Sequence, residues 1–177
     1  MTNYWEKVKK TLFEYSNEQK DIDKARMEWR YFGDVEDNRT EGSEFSREIN
    51  IGEYPNCELC EHPNIRYSFI IRNLENENEL KVGSECINKF IEVDEGGDII
   101  KNPIEKRKAI KKSVTKMVKD KKTKEIIKNI NEIRKNDETF DTNNFFKRID
   151  TNKGFTLKQM NLLLFLFKKY KINYNLY

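Results

Sequence analysis

The chain has 177 residues, of which 36% are hydrophobic and 37% are charged. An average globular domain has about 45–50% apolar and about 25% charged residues, so the sequence predicts a thin or divided core. The longest apolar run, Leu162–Phe167, is far shorter than the roughly 20 residues of a membrane-spanning helix, and the N-terminus lacks a secretory signal pattern. We therefore expect a soluble, cytoplasmic protein with no membrane association.

Charge is distributed unevenly, although the net charge is only +3. Residues 1–98 contain 13 basic and 23 acidic side chains, whereas residues 99–177 contain 21 basic and 8 acidic ones. The densest basic segment is Lys101–Lys135, with 14 basic and 4 acidic residues. This asymmetry predicts two functional halves, the second suited to a polyanion. A solvated helix face, or an acidic half that docks on the basic half, explains the same pattern equally well.

Residues 1–33 are predicted to form two amphipathic helices. Trp5, Val8 and Leu12 have the spacing of the first helix, and the second carries Ile22 to Phe32 and ends near Gly33. Residues 34–56 are acidic and contain two glycines and a proline. This composition predicts an acidic loop or linker of roughly 20 residues.

All the cysteines and the single histidine fall within 30 residues of one another, at Cys57, Cys60, His62 and Cys86. An odd number of cysteines in an intracellular chain argues against a disulfide framework. The Cys-x-x-Cys spacing allows two thiolates on a tight turn to bind one tetrahedral Zn²⁺. We predict a zinc site in which His62 is the favoured fourth ligand, with Glu85, Asp94 or water as alternatives. A redox role for the pair is weaker, because no parallel βαβ pattern flanks it.

The segment between the cysteine pair and Cys86 predicts how the chain returns to the metal. Residues 65–73 alternate in polarity as a strand does, residues 73–79 are turn-like, and the alternation resumes at residues 80–82. Gly83 ends this second strand, and Ser84 is predicted to cap a short helix with Cys86 in its first turn. A helix N-terminus favours the thiolate form. A Cys-x-x-Cys turn (zinc knuckle), a hairpin and a helix follow in the order of a treble-clef zinc finger, which we assign to residues 57–98.

The same residues resemble a group of small zinc proteins found largely in bacteriophages and large viruses. Their pattern is a cysteine pair, a strand ending I-x-N and the motif V-G-x-x-C-I-x-x-F, matched here by Cys57, Cys60, Ile71, Asn73, Val82, Gly83, Cys86, Ile87 and Phe90. An acidic, Trp-containing lead-in at residues 28–37 and a helix start at residues 155–159, similar to L-[ST]-x-K-Q, extend the likeness. The chain departs from the group at Glu61, where glycine is usual, and at residues 84–85, where some members have another cysteine. The resemblance implies a fold and a viral origin, without an activity.

Residues 99–177 are predicted to form a basic helical bundle, which makes the whole fold α+β and mostly α. Asn102 and Pro103 begin a helical segment whose apolar stripe runs from Ile110 to Ile133, and we expect a kinked helix or two helices with a break near residues 120–123. A short helix at residues 142–150 ends in a glycine stop at residues 152–154. The last helix is capped by Thr156 and Gln159 as a capping box. Its nearly continuous apolar surface predicts burial on two sides, with a dimer surface as the alternative.

Catalysis is not expected. The histidine and cysteines are better used as zinc ligands, and no Gly-rich phosphate-binding motif is present. We predict instead that the protein binds DNA or RNA, mainly through backbone phosphates, because Lys outnumbers Arg in the basic segment. The predicted nucleic-acid contacts are Arg66, Tyr67, Arg72, Lys106, Arg107, Lys108, Lys111, Lys112, Lys116, Lys119, Lys121 and Lys122.

The alternative is an inhibitor that binds a host nucleic-acid-handling protein, such as a defence nuclease or a polymerase. Its carboxylates would occupy the basic channel in which that protein holds nucleic acid. Its predicted contacts are Asp34, Glu36, Asp37, Glu41, Glu44 and Glu48. An ordinary solvated loop explains these acidic residues as well. The sequence does not specify the oligomeric state.

Overall fold

A computed structural model describes residues 4–39 and 54–174. The chain is a mixed α+β protein that divides into two compact units, residues 1–117 and residues 118–177. The boundary between the units falls inside the segment that the sequence predicts as one basic region. Within the described residues, no helix is long and apolar enough to cross a membrane.

The first unit is organised around a five-stranded sheet. The strands are β1 (Trp29–Asp37), β2 (Tyr67–Asn73), β3 (Glu79–Val82), β4 (Glu92–Glu95) and β5 (Asp98–Ile100). Their spatial order is β3-β2-β1-β4-β5, and every pairing is antiparallel except that of β1 with β4. The β2–β3 pair is the hairpin that the alternating sequence predicts.

Four helices accompany this sheet. They are α1 (Tyr4–Tyr15), α2 (Ile22–Met27), α3 (Ser84–Phe90) and the first part of α4 (Pro103–Asn136). The core of the unit is built from buried side chains of α1, β1, β2 and α3, among them Val8, Leu12, Trp29, Ile71 and Ile87. The indole Nε1 of Trp29 donates a 2.7 Å hydrogen bond to Ser16 Oγ, which satisfies the polar end of this buried ring.

The predicted second helix is wrong beyond Met27, and the predicted loop is wrong at residues 34–37, because both stretches belong to β1. Trp29 and Tyr31 are fully buried on one face of this strand. Gly33, with φ of 102°, lies at a register shift between Tyr31 and Val35. The strand has partners on both edges, so long-range pairing overrides a spacing that also fits a helix.

The β4–β5 hairpin is absent from the sequence-based prediction. Its two-residue turn is Gly96-Gly97, with φ of 71° and 98°. Two positive φ angles in a two-residue loop are typical of the turn that matches strand twist, and Gly-Gly adopts it without steric cost. At the start of α3, Gly83 is the N-cap rather than the predicted Ser84, and no side chain caps that helix.

Helix α4 is continuous from Pro103 to Asn136, so of the two predicted alternatives the division into two helices near residues 120–123 is wrong. Asn102 Oδ1 accepts a 2.8 Å hydrogen bond from the N–H of Ile104, as expected for the predicted cap. No glycine or proline interrupts the helix after its first residue, and its lysines and glutamates are good helix formers.

The second unit contains the remainder of α4, α5 (Asn143–Asp150) and α6 (Leu157–Lys169). Its buried core consists of Ile130, Ile133, Phe145, Leu163, Leu166 and Phe167. Thr156 and Gln159 form the predicted capping box at the start of α6. The stop after α5 is Asn152, with φ of 57°, and not the predicted Gly154. Burial of α6 on two sides within the chain is also wrong, since Leu162 and Phe165 are 43% and 62% exposed, and the alternative of a dimer surface stays a prediction.

Candidate metal centre

Three thiols meet in a buried cluster in the first unit. Cys86 Sγ lies 3.4 Å from Cys60 Sγ and 3.6 Å from Cys57 Sγ, and all three sulfurs lie within 4.8 Å of one another. These separations are far longer than a disulfide bond. Around a tetrahedral ion with Zn–S of about 2.3 Å, neighbouring sulfurs lie about 3.8 Å apart. The cluster therefore has the ligand chemistry and nearly the spacing to hold one metal ion, with three protein ligands.

Two elements bring the thiols together. Cys57 and Cys60 lie on a turn, where the N–H of Cys57 donates to the carbonyl of His62 at 2.8 Å and the N–H of Glu61 donates to the carbonyl of Cys57 at 2.7 Å. Cys86 lies in the first turn of α3, and the N–H of Gly83 at its N-cap donates to Cys57 Sγ at 3.3 Å. The hydrogen-bonded turn thus positions two of the sulfurs, and the start of α3 positions the third next to them.

Glu61 closes the turn in the left-handed region, with φ of 58°. Non-glycine residues have a steric cost there, so Glu61 occupies a position that glycine would adopt more easily. The Glu61 carboxylate forms an ion pair with the ammonium of Lys7, which ties the turn to α1.

The thiols differ in acidity. Hydrogen bonds from the Cys86 thiol and from the N–H of Gly83 lower the pKa of Cys57 to about 5. The pKa of Cys86 is raised, mainly because its hydrogen bond to Cys57 keeps its proton and also because it is buried. Burial raises the pKa of Cys60 as well. One thiolate supported by two thiols is therefore the favoured metal-free state near neutral pH.

A tyrosine that the sequence did not indicate completes the surroundings of the cluster. The Tyr4 hydroxyl lies 3.2 Å from Cys86 Sγ. Burial, followed by the hydrogen bond to Cys86, raises the pKa of Tyr4, so its hydroxyl keeps its proton. The two residues are 82 positions apart, and no local motif in the sequence connects them.

The favoured fourth ligand, His62, lies outside the thiol group. Its side chain is exposed, and its contact with the turn is made by its backbone carbonyl. Glu85 and Asp94 are not part of the group either. Among residues 4–39 and 54–174, the cluster offers three histidine, cysteine or carboxylate ligands, and all three are cysteines.

The predicted nucleic-acid contacts fall into two sets. Some are engaged within the protein: Arg72 pairs with Asp34 at 2.9 Å and with Glu79, Lys112 pairs with Glu95, and Lys106 Nζ donates to the carbonyl of Ile91 at 2.9 Å. Six of the predicted contacts on α4 are exposed and have no carboxylate partner among the described residues: Arg107, Lys108, Lys111, Lys116, Lys119 and Lys122.

Arg66 and Tyr67, which alternation predicts on opposite faces of a strand, contact each other. The Arg66 guanidinium carbon lies 4.7 Å from the centre of the Tyr67 ring. Arg66 also lies 4.0 Å from Asp37. Arg66 precedes the first residue of β2, so the strict alternation of a strand does not extend to it. Lys121, the remaining predicted contact, also interacts within the protein.

The carboxylates predicted for the inhibitor alternative are paired where the structure describes them. Asp34 lies 2.9 Å from Arg72, Glu36 lies 2.7 Å from Lys81, and Asp37 is bound by Arg39 at 2.5 Å. These side chains belong to β1 and not to a free loop. The other three, at positions 41, 44 and 48, lie outside the described residues.

Comparison with protein-family models, with curated proteins and with solved structures finds no match to this chain.

Proposed function

We propose that the protein is a non-enzymatic, phage-type zinc protein that binds single-stranded nucleic acid through α4. The observation that carries this proposal is that six of the predicted contacts on that helix are exposed cations without a carboxylate partner among the described residues. Unpaired lysine and arginine side chains gain free energy from a polyanion by releasing its counterions. Their lysine-rich composition favours contact with phosphates over reading of bases.

Zinc is the metal that we propose for the three-thiol cluster, in a treble-clef-like module. A thiolate-rich set in tetrahedral spacing is typical of structural zinc. The cluster joins the turn at residues 57–60 to α3 after the β2–β3 hairpin, in the order that a treble clef has. Structural zinc in small domains contributes about 10–16 kcal/mol of apparent binding free energy. The ion would therefore hold this part of the first unit in place.

The salt dependence of binding tests the proposal. Fluorescence anisotropy with labelled 12-nucleotide single strands of DNA and of RNA gives the dissociation constant from low to high salt. If all six unpaired cations contact phosphates, the slope of log K against log[salt] is about −4, at about −0.7 per phosphate on a single strand. A slope near zero with both strands would overturn the proposal.

Matched charge variants locate the contact. Lys108→Ala/Lys116→Ala removes two exposed charges from α4, and Lys153→Ala/Lys158→Ala removes two exposed charges outside it. We expect the first pair to make the slope less steep by about 1.4 and the second to leave it nearly unchanged. Equal effects of the two pairs would show that net charge, and not α4, governs binding.

The inhibitor alternative gains no support from the described carboxylates. Asp34, Glu36 and Asp37 are held by basic side chains of the same unit. Each ion pair would have to break before these acids reached a basic channel in another protein, and desolvation would add to that cost.

A further inference from the structure

A cavity of about 710 Å³ lies in the first unit beside the three thiols. Pockets that bind small organic ligands are typically about 300–1,000 Å³. The wall is partly apolar, with contributions from Ile65, Phe69, Ile110 and Val114. The space is therefore large enough, and apolar enough, for a flat organic ring and not only for a hydrated ion.

Cations dominate the charge at this cavity. Arg66, Lys89, Arg107 and Lys111 line it together with one carboxylate, Glu85, and the three cysteines of the candidate metal centre. Glu85 lies 3.9 Å from Lys89 and so partly neutralises that lysine. Arg107 and Lys111 are exposed and have no carboxylate partner among the described residues. They are four positions apart on α4 and hence on one face of the helix, where both reach a single phosphate group.

The interior offers surfaces for stacking. The Tyr67 ring and the Arg66 guanidinium, 4.7 Å apart, both line the cavity, and planar groups of this kind stack on nucleobases.

We propose that this cavity binds one nucleotide unit of a single strand, with the base inside it and the phosphate on Arg107 and Lys111. The inference rests on the proposed nucleic-acid binding and adds a base-binding site to it. An aromatic ring joined to an anion combines what the apolar wall and the cation pair each favour. Stacking of a base on such a surface is worth about 1–3 kcal/mol and tolerates any sequence.

The test separates base binding from attraction to the backbone. The first probe is a labelled 12-nucleotide single strand, DNA or RNA according to which binds more tightly. The second probe is an abasic strand of the same sugar, length and charge. We expect the full-length protein to bind the abasic strand at least 10-fold more weakly. Equal affinity for the two strands would overturn the cavity proposal, while the salt-dependent binding proposed for α4 would stand.

Two charge-matched variants assign the effect to the cavity. Arg107→Ala/Lys111→Ala is expected to lose at least 10-fold in affinity for the normal strand and most of its preference over the abasic strand. Lys108→Ala/Lys116→Ala alters the same helix outside the cavity lining. This variant should lower the affinity for both strands by the same factor and keep the preference for the normal strand over the abasic one. Identical behaviour of the two variants would contradict the proposal. A free nucleotide, adenosine monophosphate, is the third arm: binding as tight as that of the strand would show that the ligand is a free nucleotide instead.

Discussion

Replacing Cys86 by serine tests the metal centre most directly. Cys86 is 2% exposed, and its sulfur is the one that lies within 3.6 Å of both other thiols. The serine hydroxyl is a harder and much weaker ligand for zinc than a thiolate. If about 10–16 kcal/mol of apparent binding free energy is shared among the three thiols, the loss is about 3–5 kcal/mol. That corresponds to zinc binding that is roughly 200- to 5,000-fold weaker.

The same loss appears in protein stability. A ligand that binds only the folded state stabilises it in proportion to the logarithm of its concentration over its dissociation constant, so saturating zinc should stabilise Cys86→Ser less than the natural chain by the same amount. Competition with a chromophoric zinc chelator measures the affinity, and thermal unfolding followed by circular dichroism with and without chelator measures the stability. Unchanged affinity in Cys86→Ser would refute the ligand assignment. An unfolding curve of the natural chain that chelation does not move would refute the structural role.

Two control variants accompany this experiment. Ser84→Ala changes an exposed side chain at the start of α3 that makes no capping hydrogen bond, so it should keep one zinc per chain at full affinity. His62→Ala should also keep one zinc per chain, because the imidazole is exposed and lies outside the thiol group. Loss of zinc from His62→Ala by elemental analysis would show that the 57–62 turn rearranges to bring this ligand in.

Three further outcomes follow from the structure. At pH 7, zinc binding should release about two protons. Cys57, with its pKa of about 5, is already a thiolate, while the raised pKa values of Cys60 and Cys86 keep those thiols protonated. Calorimetry in buffers of different ionisation enthalpy counts the released protons, and a release of three would contradict the low pKa of Cys57. Tyr4→Phe removes the hydroxyl 3.2 Å from Cys86 Sγ and should weaken zinc binding about 10-fold without changing its stoichiometry, which the same chelator competition measures. In the second unit, Phe167→Ala should lower the free energy of unfolding by about 3–5 kcal/mol in urea titrations, because Phe167 is buried. Phe165→Ala, on the exposed face of the same helix, should change it by less than about 0.5 kcal/mol. If the two variants lost similar amounts of unfolding free energy, Phe165 would be covered in solution.

The candidate site illustrates what local patterns can and cannot indicate. The spacing of Cys57 and Cys60 and the place of Cys86 at a helix start were sufficient to predict that three thiols meet. Both features are local, because a tight turn and a first helical turn each fix where a sulfur points. The environment of the thiols was not predictable in this way. Tyr4 reaches Cys86 across 82 positions through the packing of α1, and the position of His62 depends on how its turn closes.

The basic residues of α4 were likewise predictable from the sequence, whereas their partners were not. Sequence composition identifies α4 as basic, and the described structure leaves six of its predicted contacts exposed and unpaired. Sequence composition does not reveal that Lys106 donates to a backbone carbonyl or that Lys112 pairs with Glu95. Those partners come from β4 and the residue that precedes it, and β4 belongs to a hairpin that was not predicted.

The sequence by itself determined the elements whose signals act over a few residues: the β2–β3 hairpin and the caps at Asn102 and Thr156. The three-thiol cluster was predictable because this hairpin returns Cys86 to the turn that carries Cys57 and Cys60. Only the tertiary structure decided that residues 29–37 form the central strand of a sheet and that the carboxylates of this strand are neutralised. It also created the cavity beside the thiols. The physical reason is that caps and turns are stabilised by neighbouring backbone groups, whereas a central strand, an ion pair across strands and a cavity wall each need partners far away in the chain.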